Sequence, residues 1–212
     1  MEPDFWHHRW QNRQIGFHEG MSNRFLVRHF GALGLPAARR ILVPLCGKSR
    51  DIAWLLAEGH RVLGVELSET AVRELFAELD LVPEIEDAPA HRIYRGPGLE
   101  VFVGDFFDLT DPSAGSIDAV YDRAALVALP ASTRRRYARR LAELTGGAPQ
   151  LVITFEYDAS HMEGPPFSID GDEVRRCHGD TYRVELLGRA EVGGPLRERV
   201  AADECAWLLT PV

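Results

Sequence analysis

A glycine turn and an acidic residue further along the chain are the first features whose types and spacing point to chemistry. The turn, Cys46-Gly47-Lys48-Ser49, follows an apolar run at residues 41–45, and Glu66 ends a second apolar run 19 residues after Gly47. A strand, a tight turn and a helix bring backbone N–H groups to the carboxyl edge of a parallel sheet. An acidic side chain at the end of the next strand accepts hydrogen bonds from both hydroxyls of a ribose. The pattern is equally typical of a βαβ unit with a tight turn and an exposed glutamate.

Two phosphate-binding motifs are excluded at this turn. A phosphate-binding loop requires a glycine five residues before Gly47, and that position is Leu42. The dinucleotide fingerprint requires three glycines where this turn has one, and the carboxylate of Glu66 disfavours a cofactor with a 2′-phosphate. Lys48 is the single lysine of the chain, and no tyrosine stands four positions before it to form a dehydrogenase dyad. We predict that Lys48 is a solvated turn residue.

Candidate side chains also follow the apolar runs at residues 99–103 and 117–121. Asp105 can accept a hydrogen bond from an adenine amino group, and the ring of Phe106 can cover the base. An aspartate that caps a turn beside a core phenylalanine is an equally good interpretation. Arg123 has a planar guanidinium that suits a carboxylate. The alternative for Arg123 is an ion pair with Asp122 or Asp118.

Apolar runs that alternate with helical patterns position these residues. We predict strands over residues 41–45, 61–66, 99–103, 117–121, 151–157, 182–192 and 205–209. We predict helices over residues 50–58, 69–79, 132–144 and 172–177, and one or two short helices between residues 4 and 30. Residues 81–98 hold three prolines and are predicted to form a loop, and the arginines at 134–136 and 139–140 a solvated helix face. The alternation predicts an α/β fold with a doubly wound, mostly parallel seven-stranded sheet, helices on both faces and an antiparallel C-terminal hairpin.

Length and charge limit the class of protein. The chain has 212 residues, so we expect a single domain over residues 1–212. The net charge of −8 disfavours phosphate backbones and anionic membranes, and we expect neither nucleic acid nor a membrane as a partner. No apolar stretch is long enough to cross a bilayer, and residues 1–10 are too polar for a signal peptide. Three cysteines without a CxxC pair and eight histidines without metal spacing indicate free thiols and no metal, and we expect a cytoplasmic monomer.

Several ordered stretches of the chain carry a family resemblance. They are VPLCGKS with GHRVLGVELSETAV, YDRAALVAL at residues 121–129, FEYD and GPPFSI within residues 155–169, and Trp6 and Trp10 followed by GFH at residues 16–18. Together they resemble the bacterial thiopurine S-methyltransferases, and the similarity extends to the closing WLLTP. The resemblance implies the Rossmann-like fold of class I methyltransferases, S-adenosyl-L-methionine as the cofactor, and a helical lid over residues 1–22.

The resemblance also implies roles for individual side chains. Cofactor contacts are implied for Trp10, Leu45, Glu66 and Arg123, with Phe106 beside the adenine, while Asp105 and Gly47 are candidates from their places at strand ends. Without the resemblance, the spacing of Trp6 and Trp10 on one helical face indicates core packing. For the methyl acceptor, the implied contacts are Phe17, Arg123 and a C-terminal arginine, Arg197 or Arg199. The short loop between the last two strands leaves the choice of that arginine open.

The expected function is transfer of a methyl group from S-adenosyl-L-methionine to the sulfur of a small aromatic or heterocyclic thiol. An aromatic thiol ionises near neutral pH, so alignment of the reactants and exclusion of water suffice, and we assign no catalytic base. The alternative acceptors are other small soft nucleophiles, namely thiocyanate, halides, and tellurium or selenium species. The rival classes are a nicotinamide-dependent oxidoreductase and a Rossmann-like binding protein without catalysis.

Overall fold

Strands and helices alternate through most of the chain, of which a computed structural model describes residues 3–14, 20–110 and 115–212. The strands are β1 (Arg40–Pro44), β2 (Arg61–Glu66), β3 (Glu84–Asp87), β4 (Arg92–Gly96), β5 (Leu99–Val103), β6 (Ala119–Arg123), β7 (Gln150–Tyr157), β8 (Tyr182–Glu191) and β9 (Ala202–Pro211). The α-helices are α1 (Pro3–Gln11), α2 (Arg24–His29), α3 (Arg50–Ala57), α4 (Glu69–Glu78), α5 (Ala131–Thr145), α6 (Gly171–His178) and α7 (Gly194–Arg197). Within the described ranges, no helix has the length and apolar character needed to cross a bilayer.

The described strands form one sheet in the order β3-β4-β5-β2-β1-β6-β7-β9-β8. Strands β5, β2, β1, β6 and β7 run parallel. Strand β9 lies antiparallel between β7 and β8. The chain runs from β1 through β2 to β5 on one side and then returns to the other side for β6 and β7, so the strand order reverses between β1 and β6. This topology confirms the predicted doubly wound α/β fold with an antiparallel C-terminal hairpin.

The central strands are apolar on both faces because helices cover both faces. In β1, Ile41 and Val43 belong to one core cluster together with side chains of α2, α3 and α4. Leu42, which points the other way, belongs to a second cluster with side chains of α5 and α6. Apolar burial stabilises a fold by about 25 cal/mol per Å². The two clusters therefore stabilise the sheet from both faces.

Serine side chains begin the helices that follow β1 and β2. The Oγ of Ser49 accepts a hydrogen bond from the Asp51 N–H at 3.2 Å, and the Oγ of Ser68 accepts one from the Ala71 N–H at 3.4 Å. Each such cap stabilises a helix by about 1 kcal/mol. Both helices therefore begin immediately after the turns that end β1 and β2, at the carboxyl edge of the sheet.

The prediction of a loop over residues 81–98 is wrong. This segment forms β3 and β4, which extend the sheet from the predicted seven strands to nine among the described residues. Pro83 precedes β3, Pro89 lies between β3 and β4, and Pro97 lies between β4 and β5. The prolines thus fall in connections, where no N–H is needed for strand pairing. Strand β3 is exposed along its whole length at the edge of the sheet, so it lacks the apolar pattern that marks the other strands.

Two side chains predicted to be solvated are instead held in ion pairs with little exposure. The Nζ of Lys48 lies 2.8 Å from a carboxylate oxygen of Glu74 and 2.8 Å from one of Glu78, which ties the glycine turn to α4. Arg134, in the first turn of α5, is buried and pairs with Glu173 of α6 at 3.2 Å. In both cases the partner is more than 20 residues away in the chain, so sequence patterns around the cation do not reveal it.

His178 leads us to predict a loss of stability in mild acid. The side chain is buried at the end of α6, and neither ring nitrogen has a hydrogen-bond partner among the described residues. Burial lowers the pKa of His178 from 6.5 to about 4. The folded state therefore keeps the ring neutral where the unfolded chain binds a proton. Stability that is fully present above pH 6.5 is lost as the pH falls toward 4, by about 2 kcal/mol at about pH 5.

Urea unfolding of the wild type and His178→Leu at about pH 7.5, 6 and 5 measures this effect. The free energy of unfolding of the wild type should fall more steeply with acid than that of the variant, which lacks the titrating ring. Parallel pH dependences for the two proteins would contradict the assignment.

Candidate active site

A cavity opens at the carboxyl edge of the sheet, where the strand order reverses between β1 and β6. Its volume is about 280 Å³, close to the lower end of the range for small-molecule sites, roughly 300–1,000 Å³. Ligands of doubly wound sheets bind at such a reversal. The walls come from the segments after β1, β2, β5 and β6, from α1, and from residues 192–199. The predicted site residues that line the cavity are Trp10, Leu45, Gly47, Glu66, Asp105, Phe106 and Arg123.

Glu66 is a buried carboxylate held by two backbone donors. Its Oε2 accepts a hydrogen bond from the Gly47 N–H at 2.8 Å, and its Oε1 accepts one from the Ser68 N–H at 2.8 Å. Burial raises the pKa of Glu66, and hydrogen bonding from the backbone N–H groups of Ser68, Gly47 and Leu67 opposes that rise. A carboxylate has about four acceptor positions, so capacity for further hydrogen bonds remains. This geometry differs from the exposed glutamate of an ordinary βαβ turn and suits a diol.

Gly47 is required by both its conformation and its neighbour. Its φ of +52° lies in the left-handed region that favours glycine, and a Cβ at this position would lie 3.1 Å from Cζ2 of Trp10. The indole of Trp10 thus packs directly on the glycine turn, and the side chain is only 5% exposed. Trp10 is therefore both packed against the body of the protein and part of the cavity wall, which reconciles the two interpretations of its helical spacing.

Two residues other than glycine adopt left-handed backbone conformations at this edge. Leu45, directly after β1, has φ +48°, and Ala124, directly after β6, has φ +65°. Such conformations cost of order 1–3 kcal/mol each and persist where the surrounding structure enforces them. Both residues line the cavity and flank the reversal of strand order. Backbone strain is therefore placed at the two strand ends that form the centre of the site.

Asp105 and Phe106 form the wall that follows β5. The carboxylate of Asp105 accepts a hydrogen bond from the Phe107 N–H at 2.8 Å, which caps a single 3₁₀ turn. The exposed carboxylate also lines the cavity, so the turn-capping and ligand-facing interpretations are compatible. Phe106 is buried, and its ring centroid lies 5.0 Å from that of Tyr137. An aromatic wall and an adjacent acceptor are the features that a purine base requires.

Arg123 lies in the cavity wall with its side chain 7% exposed. Its Nη1 is 3.7 Å from the Oδ2 of Asp51, which is fully buried in the first turn of α3. Arg123 thus forms an ion pair with Asp51, an aspartate that the alternative interpretation, which named Asp122 or Asp118, did not include. A guanidinium in a partly desolvated wall interacts strongly with an anion, because the local dielectric is low.

The two aspartates named in that alternative make hydrogen bonds to other groups. Asp118 accepts a hydrogen bond from the Arg40 N–H at 2.8 Å. Asp122 accepts hydrogen bonds from the Tyr137 hydroxyl at 2.7 Å and from the Leu126 N–H at 3.1 Å, and burial raises its pKa to about 6. Successive side chains of a strand point to opposite faces. Asp122 therefore faces α5, whereas the neighbouring Arg123 faces α3.

Arg197 and Arg199, the two arginines considered for the acceptor, differ in their position relative to the cavity. Arg199 lines the cavity. The Nη2 of Arg197 instead lies 3.5 Å from the Oε2 of Glu191, and both side chains are largely exposed. Arg197 is not among the described residues that line the cavity, so the structure favours Arg199. Phe17, the other predicted acceptor contact, lies outside the described residues.

The cavity also contains side chains that the sequence analysis did not single out. Arg9 of α1 lines it, with its guanidinium carbon 5.0 Å from the ring centroid of Phe5. Thr133 and Tyr137 of α5 line it as well. The spacing of Phe5 and Arg9 indicates stacking on one helix face, but no sequence signal places either helix beside the sheet edge. The described residues contain no cluster of three or more histidine, cysteine, aspartate or glutamate side chains suited to a metal.

A solved structure shares this architecture. It is Burkholderia thailandensis 1,6-didemethyltoxoflavin-N1-methyltransferase with bound 1,6-didemethyltoxoflavin and S-adenosylhomocysteine, which superposes with a TM-score of 0.66 over 98% of this chain and 87% of that chain. The sequence identity is 16%, so the likeness concerns the fold alone.

Sequence comparison is more specific. The family model for thiopurine S-methyltransferase (TPMT) matches residues 1–207. The thiopurine S-methyltransferase of Xanthobacter autotrophicus is 55% identical over 210 residues, which is 99% of this chain and 99% of the relative. That of Teredinibacter turnerae is 48% identical over 210 residues, 99% of this chain and 98% of the relative. With matches of this strength over nearly its whole length, the chain belongs to the thiopurine S-methyltransferase family.

Proposed function

We propose that this chain transfers a methyl group from S-adenosyl-L-methionine to the sulfur of a small aromatic or heterocyclic thiol. The observation that carries the proposal is the placement of Glu66 and Arg123 in one cavity, at the ends of β2 and β6. The first suits a ribose diol and the second an amino-acid carboxylate. The names of the relatives, thiopurine S-methyltransferase, supply the acceptor class.

The cavity fits the proposed cofactor along its length. The remaining acceptor capacity of Glu66 receives the two ribose hydroxyls. Phe106 covers the adenine, and Asp105 accepts from its amino group. Arg123 holds the carboxylate of the methionine portion, and Leu45, Gly47 and Trp10 provide the surface between these ends. The ribose hydroxyls, the adenine amino group and the carboxylate of the cofactor thus each meet a side chain of complementary chemistry.

The residues of the chain align the reactants and exclude water. When bound, the cofactor supplies an electrophilic methyl group on a sulfonium. The acceptor end of the cavity is walled mainly by apolar side chains, among them Val127, Leu129 and Leu196. Arg199, and Phe17 as the resemblance implies, contact the acceptor. A dry and rigid site of this kind promotes displacement by fixing the approach of the two reacting atoms.

No side chain is assigned as a catalytic base. The Tyr137 hydroxyl donates a hydrogen bond to Asp122, and burial raises the pKa of Tyr137 well above 10. Glu66 and Asp105 serve the cofactor in this proposal. The nucleophile is therefore the thiolate that an aromatic thiol forms by its own ionisation.

The competing functions have less support. A nicotinamide-dependent oxidoreductase is disfavoured by the single glycine of the turn, by the antiparallel C-terminal strands and by the family. Thiocyanate, halide, tellurium or selenium acceptors do not need the aromatic and apolar wall that this cavity has. A binding protein without catalysis would have no need for Glu66 and Arg123 together with an acceptor compartment.

We extend the proposal to the organisation of the chain. Residues 1–212 act as a single domain, and residues 1–22 act as a lid, which the positions of Trp6, Arg9 and Trp10 in the cavity wall support. The walls come from both ends of the same chain, which favours a monomer. The three cysteines are free thiols, as is usual for a cytoplasmic protein.

We predict that Glu66→Ala weakens binding of S-adenosylhomocysteine at least tenfold. The variant loses two charge-assisted hydrogen bonds to the ribose, each worth roughly 1.5–3 kcal/mol. Titration calorimetry measures the affinity, with Glu84→Ala on the exposed edge strand as the control and NAD as a ligand that should not bind. Wild-type affinity in a folded Glu66→Ala protein would remove the ribose assignment.

We predict that Trp10 reports closure of the lid. Addition of S-adenosylhomocysteine should change the intrinsic tryptophan fluorescence, and Trp10→Phe should lose part of that change because the indole packs on the glycine turn. Trp54, in α3, packs against Phe30, so Trp54→Phe is the matched control and should keep the full fluorescence change. The same response in all three proteins would mean that Trp10 is only a packing residue.

We predict that the acidic limb of kcat/KM against pH follows the acidity of the acceptor. With no protein base, three ring-substituted thiophenols of graded pKa should shift the limb by about their differences in pKa, until lower nucleophilicity limits the rate. A limb that stays at one pH for all three acceptors would show that a protein group removes the proton, and would leave methyl transfer itself unaffected.

A further inference from the structure

Asp51 is a buried carboxylate that the reaction described above does not use. Its side chain is fully buried in the first turn of α3, two residues after the glycine turn ends. Its Oδ1 accepts a hydrogen bond from the Asn23 N–H at 2.6 Å, and its Oδ2 accepts one from the Tyr121 hydroxyl at 2.9 Å. The same Oδ2 lies 3.7 Å from the Nη1 of Arg123. One carboxylate thus meets three donors from two separate parts of the chain, the N-cap of α2 and strand β6.

The carboxylate of Asp51 is fixed independently of Arg123. The Asn23 N–H belongs to the N-cap of α2, and the Asn23 side chain is itself held by the buried Glu204 of β9 at 2.6 Å. The Tyr121 hydroxyl projects from the middle of β6 and is buried. Since both donors come from buried, packed elements, Asp51 cannot follow a movement of the arginine. The arginine must instead adjust to Asp51.

The arginine is the flexible member of the pair. An arginine side chain has several rotatable bonds, and its planar fork binds a carboxylate well only in particular orientations. Tyr121 and Arg123 are two residues apart on β6, so they lie on the same face of the strand, toward α3. Asp51 at the start of α3 can therefore contact both. A fixed carboxylate on one side of the guanidinium determines how the rest of the fork is presented to the cavity.

We propose that Asp51 is a positioning residue that sets the orientation of Arg123 toward the carboxylate of the cofactor's amino-acid portion. This inference rests on the proposed function, in which Arg123 receives that carboxylate. It assigns to Asp51 no contact with either reactant. The first turn of α3 would thus help to position the carboxylate end of the cofactor, next to the glycine turn that precedes α3.

A neutralising role and an orienting role of Asp51 predict opposite changes in affinity when Asp51 is removed. If Asp51 only neutralised Arg123, its removal would leave the cation unopposed and would strengthen the attraction for an anion. If Asp51 orients the fork, its removal weakens binding of the carboxylate although the local charge becomes more positive. The sign of the change in affinity therefore separates the two roles.

A pair of ligands isolates the amino-acid portion. S-Adenosylhomocysteine carries the carboxylate, whereas 5′-methylthioadenosine has the same adenine and ribose without the amino acid. The ratio of their dissociation constants, measured by calorimetry, reports the contribution of the carboxylate end. Binding to Glu66, Asp105 and Phe106 cancels in this ratio.

Asp51→Asn is the main variant, since it removes the charge with little change of shape. We expect it to weaken S-adenosylhomocysteine about tenfold and to leave 5′-methylthioadenosine within about twofold. Arg123→Met should abolish the preference for S-adenosylhomocysteine, and Asp51→Asn should have no further effect on the preference in that background. Asp118→Asn, which alters a carboxylate that accepts from the Arg40 N–H and does not line the cavity, is the matched control and should keep the wild-type ratio.

Asp51→Glu covers the case in which Asp51→Asn does not fold. It keeps the charge but moves the carboxylate by one methylene. An orienting role therefore predicts a reduced preference for S-adenosylhomocysteine, and a neutralising role predicts an unchanged preference. An unchanged or increased preference for S-adenosylhomocysteine in a folded Asp51 variant would overturn the inference while the wild-type preference stands. A wild type that binds neither ligand, or both equally, would instead refute the proposed function and with it this inference.

Discussion

The structure around the cavity depends on the two hydrogen bonds that the Glu66 carboxylate accepts from the backbone. They join the turn after β1, through the Gly47 N–H, to the turn after β2, through the Ser68 N–H. A carboxylate buried without such donors would favour its neutral form, because burial raises its pKa. The donors offset part of this penalty and fix both oxygens. The same contact that stabilises the fold therefore orients the group that the proposed cofactor needs.

Much of the fold could be predicted because the parallel strands are buried on both faces. The predicted bounds of β2 and β5 agree with the structure, because both strands consist mainly of buried apolar residues. Strands β3 and β4 could not be found in this way, since β3 is exposed at the sheet edge and prolines surround the pair. The pattern of apolar residues in a sequence indicates which strands are buried, and an exposed edge strand lacks that pattern.

The residues of the candidate site likewise divide into those that could be predicted from the sequence and those that could not. Gly47, Glu66, Asp105 and Arg123 were accessible to sequence reasoning because each follows or ends an apolar strand, and parallel strands bring their carboxyl ends to one edge. The partner of Arg123 was not accessible, since Asp122 is its neighbour in sequence but points to the opposite face. Asp51 and Arg9 reach the site through helix packing, and no spacing rule links these segments, whereas Arg199 was a candidate only through the family resemblance. Proximity in the chain is a poor guide to charge pairing when strands separate successive side chains.

Charge and strain are concentrated where the strand order reverses. The chain carries a net charge of −8, yet the cavity wall includes Arg9, Arg123 and Arg199 against Glu66 and Asp105. The backbone is left-handed at Leu45 and Ala124, one at each strand end that flanks the reversal. Arrangements of this kind cost free energy, and the two packed core clusters on either face of the sheet supply the rigidity that maintains them. A site held in this way needs no rearrangement of its dipoles as the reaction proceeds, and preorganisation lowers the barrier without any proton transfer from the protein. That is the form of catalysis a substrate with its own ionised nucleophile requires, so the strained and charged edge is consistent with an enzyme that aligns two reactants and contributes no base.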